Sequence, residues 1–147
     1  MNLFYADTSA IVRAYFADEA DHQALKAILL EDGNAVVSSE IARVEFASAV
    51  TAAARAGRLS GPEPFLNRFD ADCGPAGAMA LLRLDPASVL GLAHDLVRSH
   101  GLRTLDAVHL AVVLTDGVRL AGKGVLTLVT RDAGQAAVAQ AVGLATM

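Results

Sequence analysis

Four acidic residues, Asp7, Glu45, Asp106 and Asp132, occupy positions where a folding chain either avoids charge or uses it. Asp7 closes the apolar run Leu3-Phe4-Tyr5-Ala6, and Asp132 closely follows a second run, Val125 to Val129. Glu45 shares one side of a helical pattern with Ile41 and Val44, and Asp106 opens the most apolar helical stretch of the chain. An ionised carboxylate in low dielectric costs several kcal/mol unless a cation or good donors compensate. Crowded carboxylates also raise one another's pKa values, unless a divalent cation holds them ionised. An all-oxygen ligand set suits Mg²⁺ or Mn²⁺, whereas Zn²⁺ favours His or Cys. Such an ion binds a phosphate oxygen, activates water and neutralises charge during in-line displacement at a phosphodiester, which is nuclease chemistry.

Each acid also has a plainer explanation. Asp7 and Asp132 are good N-caps for helices beginning near Ser9 and at Ala133, and Asp106 is a first-turn acid favoured by the helix dipole. Glu45 needs a buried arginine, such as Arg13 or Arg43, if it is only one half of an ion pair. What favours a common site is the joint pattern. A parallel sheet brings strand ends and helix starts to one edge, and ligands bind outside the carboxyl ends of its strands.

The elements that must position these acids alternate between strand-like and helix-like segments, which predicts one α/β domain over residues 1–147. Its centre is expected to be a mostly parallel sheet of four to five strands flanked by helices. Strands are expected at LFYA (3–6), AVVSS (35–39), MALLRL (79–84) and VLTLV (125–129). Helices are expected at 9–16, at 20–30, from Glu40 to Gly57 with Ser39 as N-cap, and over 62–72. Further helices run from Pro86 behind an Asp85 cap to Gly101, over 104–121, and over 133–142. Residues 72–79, DCGPAGAM, read as a loop, with Asp70 and Asp72 on a solvated turn. Glu40 reads as a first-turn acid directed away from Glu45.

With 54% hydrophobic residues and a mean hydropathy of +0.42, the chain is not disordered, and it carries apolar surface that folding or a partner must cover. Twelve basic against sixteen acidic residues leave a net charge of −4, so no broad basic face points to nucleic acid or to an anionic membrane. A divalent cation would supply positive potential locally. Cys73 is the only cysteine, which excludes an intramolecular disulfide and a cysteine-based metal site. The early Asp7 disfavours a signal peptide, and no uncharged run is long enough to span a bilayer. Together these features predict a soluble, cytoplasmic protein with no membrane association.

YADTSA at residues 5–10, EIARVEFASAV at 40–50, LRTLDAVHLA at 102–111 and LVTRDAG at 128–134 resemble, in order and spacing, the four acidic motifs of the PIN-domain family. A lone domain of this length is similar to the VapC-type toxins of bacterial toxin–antitoxin pairs. The resemblance spans essentially the whole chain, and DTSA and LDAVHLA are its most specific parts. It implies a Mg²⁺- or Mn²⁺-dependent endoribonuclease with catalytic residues Asp7, Glu45, Asp106 and Asp132. Asp7 and Asp106 would be direct metal ligands, and Glu45 and Asp132 would hold metal-bound water or a second ion. Thr8 and Thr130 match hydroxyl positions that orient carboxylates or water. The family also implies an RNA substrate, a homodimer, and neutralisation by a VapB-type antitoxin laid over the site and a neighbouring apolar groove.

Two other readings use the same acids. In a Mg²⁺-dependent phosphohydrolase Asp7 would be the nucleophile, but the second aspartate expected two residues on is Ser9 here. In a non-catalytic interaction domain the acids would be caps and buried ion pairs. His109, three residues after Asp106, is expected to be a hydrogen-bonded core residue in preference to a ligand. With only Lys26 and Lys123 as lysines, contacts to an RNA backbone fall to the arginines, of which Arg13, Arg43 and Arg131 are nearest the acidic motifs.

Overall fold

The computed structural model, which describes residues 1–147, builds one parallel sheet from β1 (Asn2–Ala6), β2 (Ala35–Ser39), β3 (Met79–Leu82), β4 (Val125–Val129) and β5 (Ala145–Thr146). The strand order is β3-β2-β1-β4-β5. Tyr5 lies between Val37 of β2 and Leu128 of β4 in register. From β1 the chain builds outward through β2 and β3, then returns to add β4 on the other side. This makes the carboxyl end of β1 the topological switch point, where a doubly wound sheet opens a crevice. Asp7 is the residue at that end, and its amide still pairs with Val129 O at 3.1 Å.

Side chains along β1 alternate between two cores, as strand geometry requires. Leu3 and Tyr5 join the core with α5 (Pro86–His100), α6 (Thr104–Val112) and α8 (Ala133–Ala141). Ala6 joins the opposite core with α1 (Thr8–Tyr15), α2 (His22–Lys26), α3 (Ile41–Arg55) and α4 (Glu63–Asp72). Helix ends follow the expected chemistry. Asp7, Asp85 and Asp132 each cap a helix by accepting a backbone N–H, and Gly101 closes α5 at a φ of 68°. The N-cap of α3 is Glu40 and not the expected Ser39, because the helix starts one residue later than expected; Ser39 Oγ still accepts the Ile41 amide at 3.3 Å.

Several details differ from the sequence reading. Residues 145–146 add a short edge strand that the tail composition did not reveal. The helix expected over 20–30 is a single α-turn segment followed by a π-turn over Ala27–Glu31. The long apolar helix likewise passes through a π-turn, Val113–Gly117, into α7 (Val118–Ala121). Asp70 and Asp72 lie within α4 and not on a solvated turn: Asp70 pairs with Arg43, and Asp72 accepts the Tyr15 hydroxyl at 2.6 Å. Glu40 uses its carboxylate to accept the Leu84 amide at 2.7 Å, which ties the start of α3 to the end of β3. No helix is long and apolar enough to cross a membrane.

The side of α3 that packs inward is Ala42, Phe46, Val50 and Ala53, while Val44 is 70% exposed. Phe46 is fully buried and stacks on Phe69 with ring centroids 4.4 Å apart. Its truncation to alanine should cost about 3–5 kcal/mol of unfolding free energy, read from the midpoint of a urea titration at unchanged slope.

A candidate metal centre at the sheet edge

β1 and β4 deliver Asp7 and Thr130 side by side, α3 delivers Glu45, and the starts of α6 and α8 deliver Asp106 and Asp132. All four carboxylates line one cavity of about 760 Å³, together with Thr8, Ser9, Arg13, Arg103 and His109. The convergence inferred from the sequence is therefore present in space, but the acids are held separately. No three acidic, histidine or cysteine side chains converge closely enough to ligate one ion in this conformation.

Asp7 is 2% exposed and has no cationic partner. Its Oδ1 accepts the Ser9 hydroxyl at 2.6 Å and the Ala10 amide at 3.2 Å, and its Oδ2 accepts the Thr130 hydroxyl at 2.9 Å. Burial pushes its carboxyl above the ordinary value, against the opposing pull of these donors and of His109. Asp7 is thus at once the cap of α1 and a buried charge facing a cavity. Thr130 also accepts the Asp132 amide at 3.0 Å, so one hydroxyl joins the ends of β1 and β4 to the start of α8.

Glu45 lies at the edge of the inward stripe of α3 and not within it, which corrects the reason for singling it out. Its partner is neither Arg13 nor Arg43 but His109, whose Nε2 lies 2.5 Å from Glu45 Oε1. The Thr8 hydroxyl donates to the same oxygen at 2.9 Å. A carboxylate has no proton to give, so Nε2–H is the donor, and in the neutral ring Nδ1 then accepts from the Tyr5 hydroxyl at 2.8 Å. Burial alone would raise the Glu45 pKa, but the hydrogen bonds from His109 and Thr8 hold it below the usual range. His109 is a hydrogen-bonded core residue, as expected, and it also lies at the wall of the cavity.

Asp106 and Asp132 share Arg103, which donates to Asp106 Oδ2 from Nε at 3.1 Å and to Asp132 Oδ2 from Nη2 at 2.8 Å. Burial raises the pKa of Asp106, the neighbouring charge of Asp132 raises it further, and Arg103 pulls it down. Asp132 Oδ1 accepts the Gln135 amide at 2.8 Å, so this acid too is a helix cap that also lines the cavity. Of the arginines named from the sequence, Arg43 and Arg131 are committed to Asp70 and Asp21, whereas Arg13 lines the cavity. Sequence reasoning gave no site role to Arg103 or to Ser9. Arg103, three residues before Asp106, carried a readable i, i+3 signal.

The donor chemistry fits a hard divalent cation. The cavity carries carboxylate and hydroxyl oxygens, one buried acid without a cation, and an acid pair already bridged by a positive group. The family described as PIN domain matches residues 4–141. Among solved structures, a toxin–antitoxin complex from Klebsiella pneumoniae is 18% identical with a TM-score of 0.54, covering 93% of this chain and 91% of its own. FitAcB from Neisseria gonorrhoeae is 19% identical with a TM-score of 0.59, covering 98% and 96%. No curated protein matches the chain.

Because its carboxyl is raised on folding, Asp7 favours the folded state below the ordinary value of 3.8 and loses that contribution as pH rises through the raised value. Metal-free Asp7→Asn should therefore melt roughly 3 °C above wild type near pH 7, and this gain should vanish below the ordinary carboxylate pKa. Differential scanning calorimetry across pH reads both limits.

Proposed function

The chain belongs to the PIN-domain family, and from that premise we propose that it is a Mg²⁺- or Mn²⁺-dependent endoribonuclease, the toxin of a VapC-type toxin–antitoxin pair. The observation that carries this reading is the gathering of Asp7, Glu45, Asp106 and Asp132 around one cavity at the switch point of the sheet. Asp7 and Asp106 would hold the ion, with Glu45 and Asp132 completing the acidic wall. When bound, the ion supplies positive charge to the phosphodiester and makes a water more acidic.

The remaining work falls to the protein's own groups. Glu45 Oε1 is occupied by Thr8 and His109, which leaves Oε2 to accept a proton from the attacking water. His109, fixed by Tyr5, keeps that carboxylate ionised and aimed. Ser9 and Thr130 hold Asp7 in a single orientation. Arg13 and Arg103 at the cavity are available for backbone phosphates, which the protein's net charge of −4 would otherwise repel.

A VapB-type antitoxin fits the apolar rim of the same cavity, where Val44 is 70% and Leu105 42% exposed beside Val12 and Ile41. The two solved structures named above, one of them a toxin–antitoxin complex, support a partner of that kind. The proposal includes a homodimer and a cytoplasmic setting. Asp7 as a phosphohydrolase nucleophile is disfavoured, because the position two residues on, where a second aspartate is expected, is Ser9, whose hydroxyl donates to Asp7.

The test is cleavage of end-labelled structured and single-stranded RNAs by wild type and Asp7→Asn, each with Mn²⁺, Mg²⁺ or EDTA. Cutting should need the metal and fall by more than about 100-fold in the variant. Equal cutting by both proteins would assign the activity to a contaminant.

A further inference from the structure

Arg103 stands immediately before α6 and reaches two acids that come from different helices, Asp106 in its own first turn and Asp132 at the start of α8. Its side chain is nevertheless 79% exposed. It makes no capping bond to the helix it precedes. An exposed ion pair of this kind adds little to stability, so folding does not account for the arrangement. What the guanidinium does accomplish is electrostatic: it places positive charge between two carboxylates whose mutual repulsion is felt at Asp106. A divalent cation held by Asp106 would sit on the carboxylate whose Oδ2 Arg103 already occupies, next to the guanidinium. Guanidinium and metal cannot both be accommodated there without like-charge repulsion.

Resting on the ribonuclease reading above, we propose that Arg103 is a displaceable counter-ion. It bridges Asp106 and Asp132 in the metal-free site, leaves them when the metal binds, and then grips a backbone phosphate of the RNA at the cavity mouth. The side chain is suited to both positions. Its exposure leaves the stem free to rotate, and its planar fork pairs as well with two phosphate oxygens as with the two carboxylates. Metal arrival and substrate capture are thereby coupled, since the ion that completes the acidic wall also releases the cation that RNA needs. Arg103 is in this sense a residue that positions substrate, and it competes with the metal until the metal is bound.

Arg103→Met keeps the stem and removes the charge, and Arg103→Lys keeps the charge and removes the fork. Two quantities are read for each: Mn²⁺ affinity without RNA, by titration calorimetry, and KM and kcat for RNA cleavage at saturating Mn²⁺. Arg103→Met should bind Mn²⁺ about three- to fivefold more tightly than wild type. Its KM for RNA should rise about tenfold, with a smaller change in kcat. Arg103→Lys should fall between the two in both measurements. A wild type that cuts RNA while Arg103→Met binds Mn²⁺ no more tightly, or shows an unchanged KM, overturns the role of Arg103 alone. A wild type that neither binds Mn²⁺ nor cuts RNA overturns the ribonuclease reading itself.

Discussion

Holding the charge of Asp7 in a nearly water-free position at the end of β1 is the constraint from which the rest of the site follows. The strand runs between β2 and β4 and is buried on both faces, so any polar group at its end needs donors from nearby chain. Ser9 and the Ala10 amide provide two of them from the first turn of α1, and Thr130 provides the third from the end of β4. None of these donors carries a full charge. The carboxylate is therefore solvated well enough to be tolerated, and its proton affinity stays raised, a state that a cation at the cavity would relieve.

The two cores serve that constraint from opposite sides. The core of α1 to α4 sets the cavity wall that bears Glu45. The other, built on α5, α6 and α8, brings Tyr5 and His109 together behind it. The line from Tyr5 through His109 to Glu45 runs from the first core strand to the cavity, and burial drives the Tyr5 hydroxyl far above its ordinary pKa, so it stays a neutral donor. Repulsion among the four acids is thus managed in three ways: neutral hydroxyls for Asp7, an imidazole for Glu45, and one guanidinium for Asp106 and Asp132.

Much of this was legible in the chain because strand ends and helix caps are written locally. Asp7 and Asp132 follow apolar runs, and each proved to be a cap as well as a wall of the cavity, so the two readings weighed for them were not exclusive. Glu45 does line the cavity, though not for the reason given from the sequence: the inward stripe of α3 lies one position further round, and the acid flanks it. Its partner was hidden because His109 is 64 residues away, and apolar neighbours give no hint of which polar group a buried histidine will meet. A helix was expected over 62–72, but Asp70 and Asp72 were read as solvated turn residues because their partners, Arg43 and Tyr15, lie far away in the chain. The two-residue β5 has too little sequence to carry a period.

The hydrogen bonds that complete the site join residues far apart in the chain: Thr8 to Glu45 across 37 positions, His109 to Glu45 across 64, and Thr130 to Asp7 across 123. Contacts of such separation form late, because the chain must first close long loops and stack parallel strands. During synthesis the acids of the first half emerge without the donors that orient them, and β4, α8 and β5 come last of all. The acidic cavity is therefore complete only once the late strand and helix that bring Thr130 and Asp132 have docked against β1.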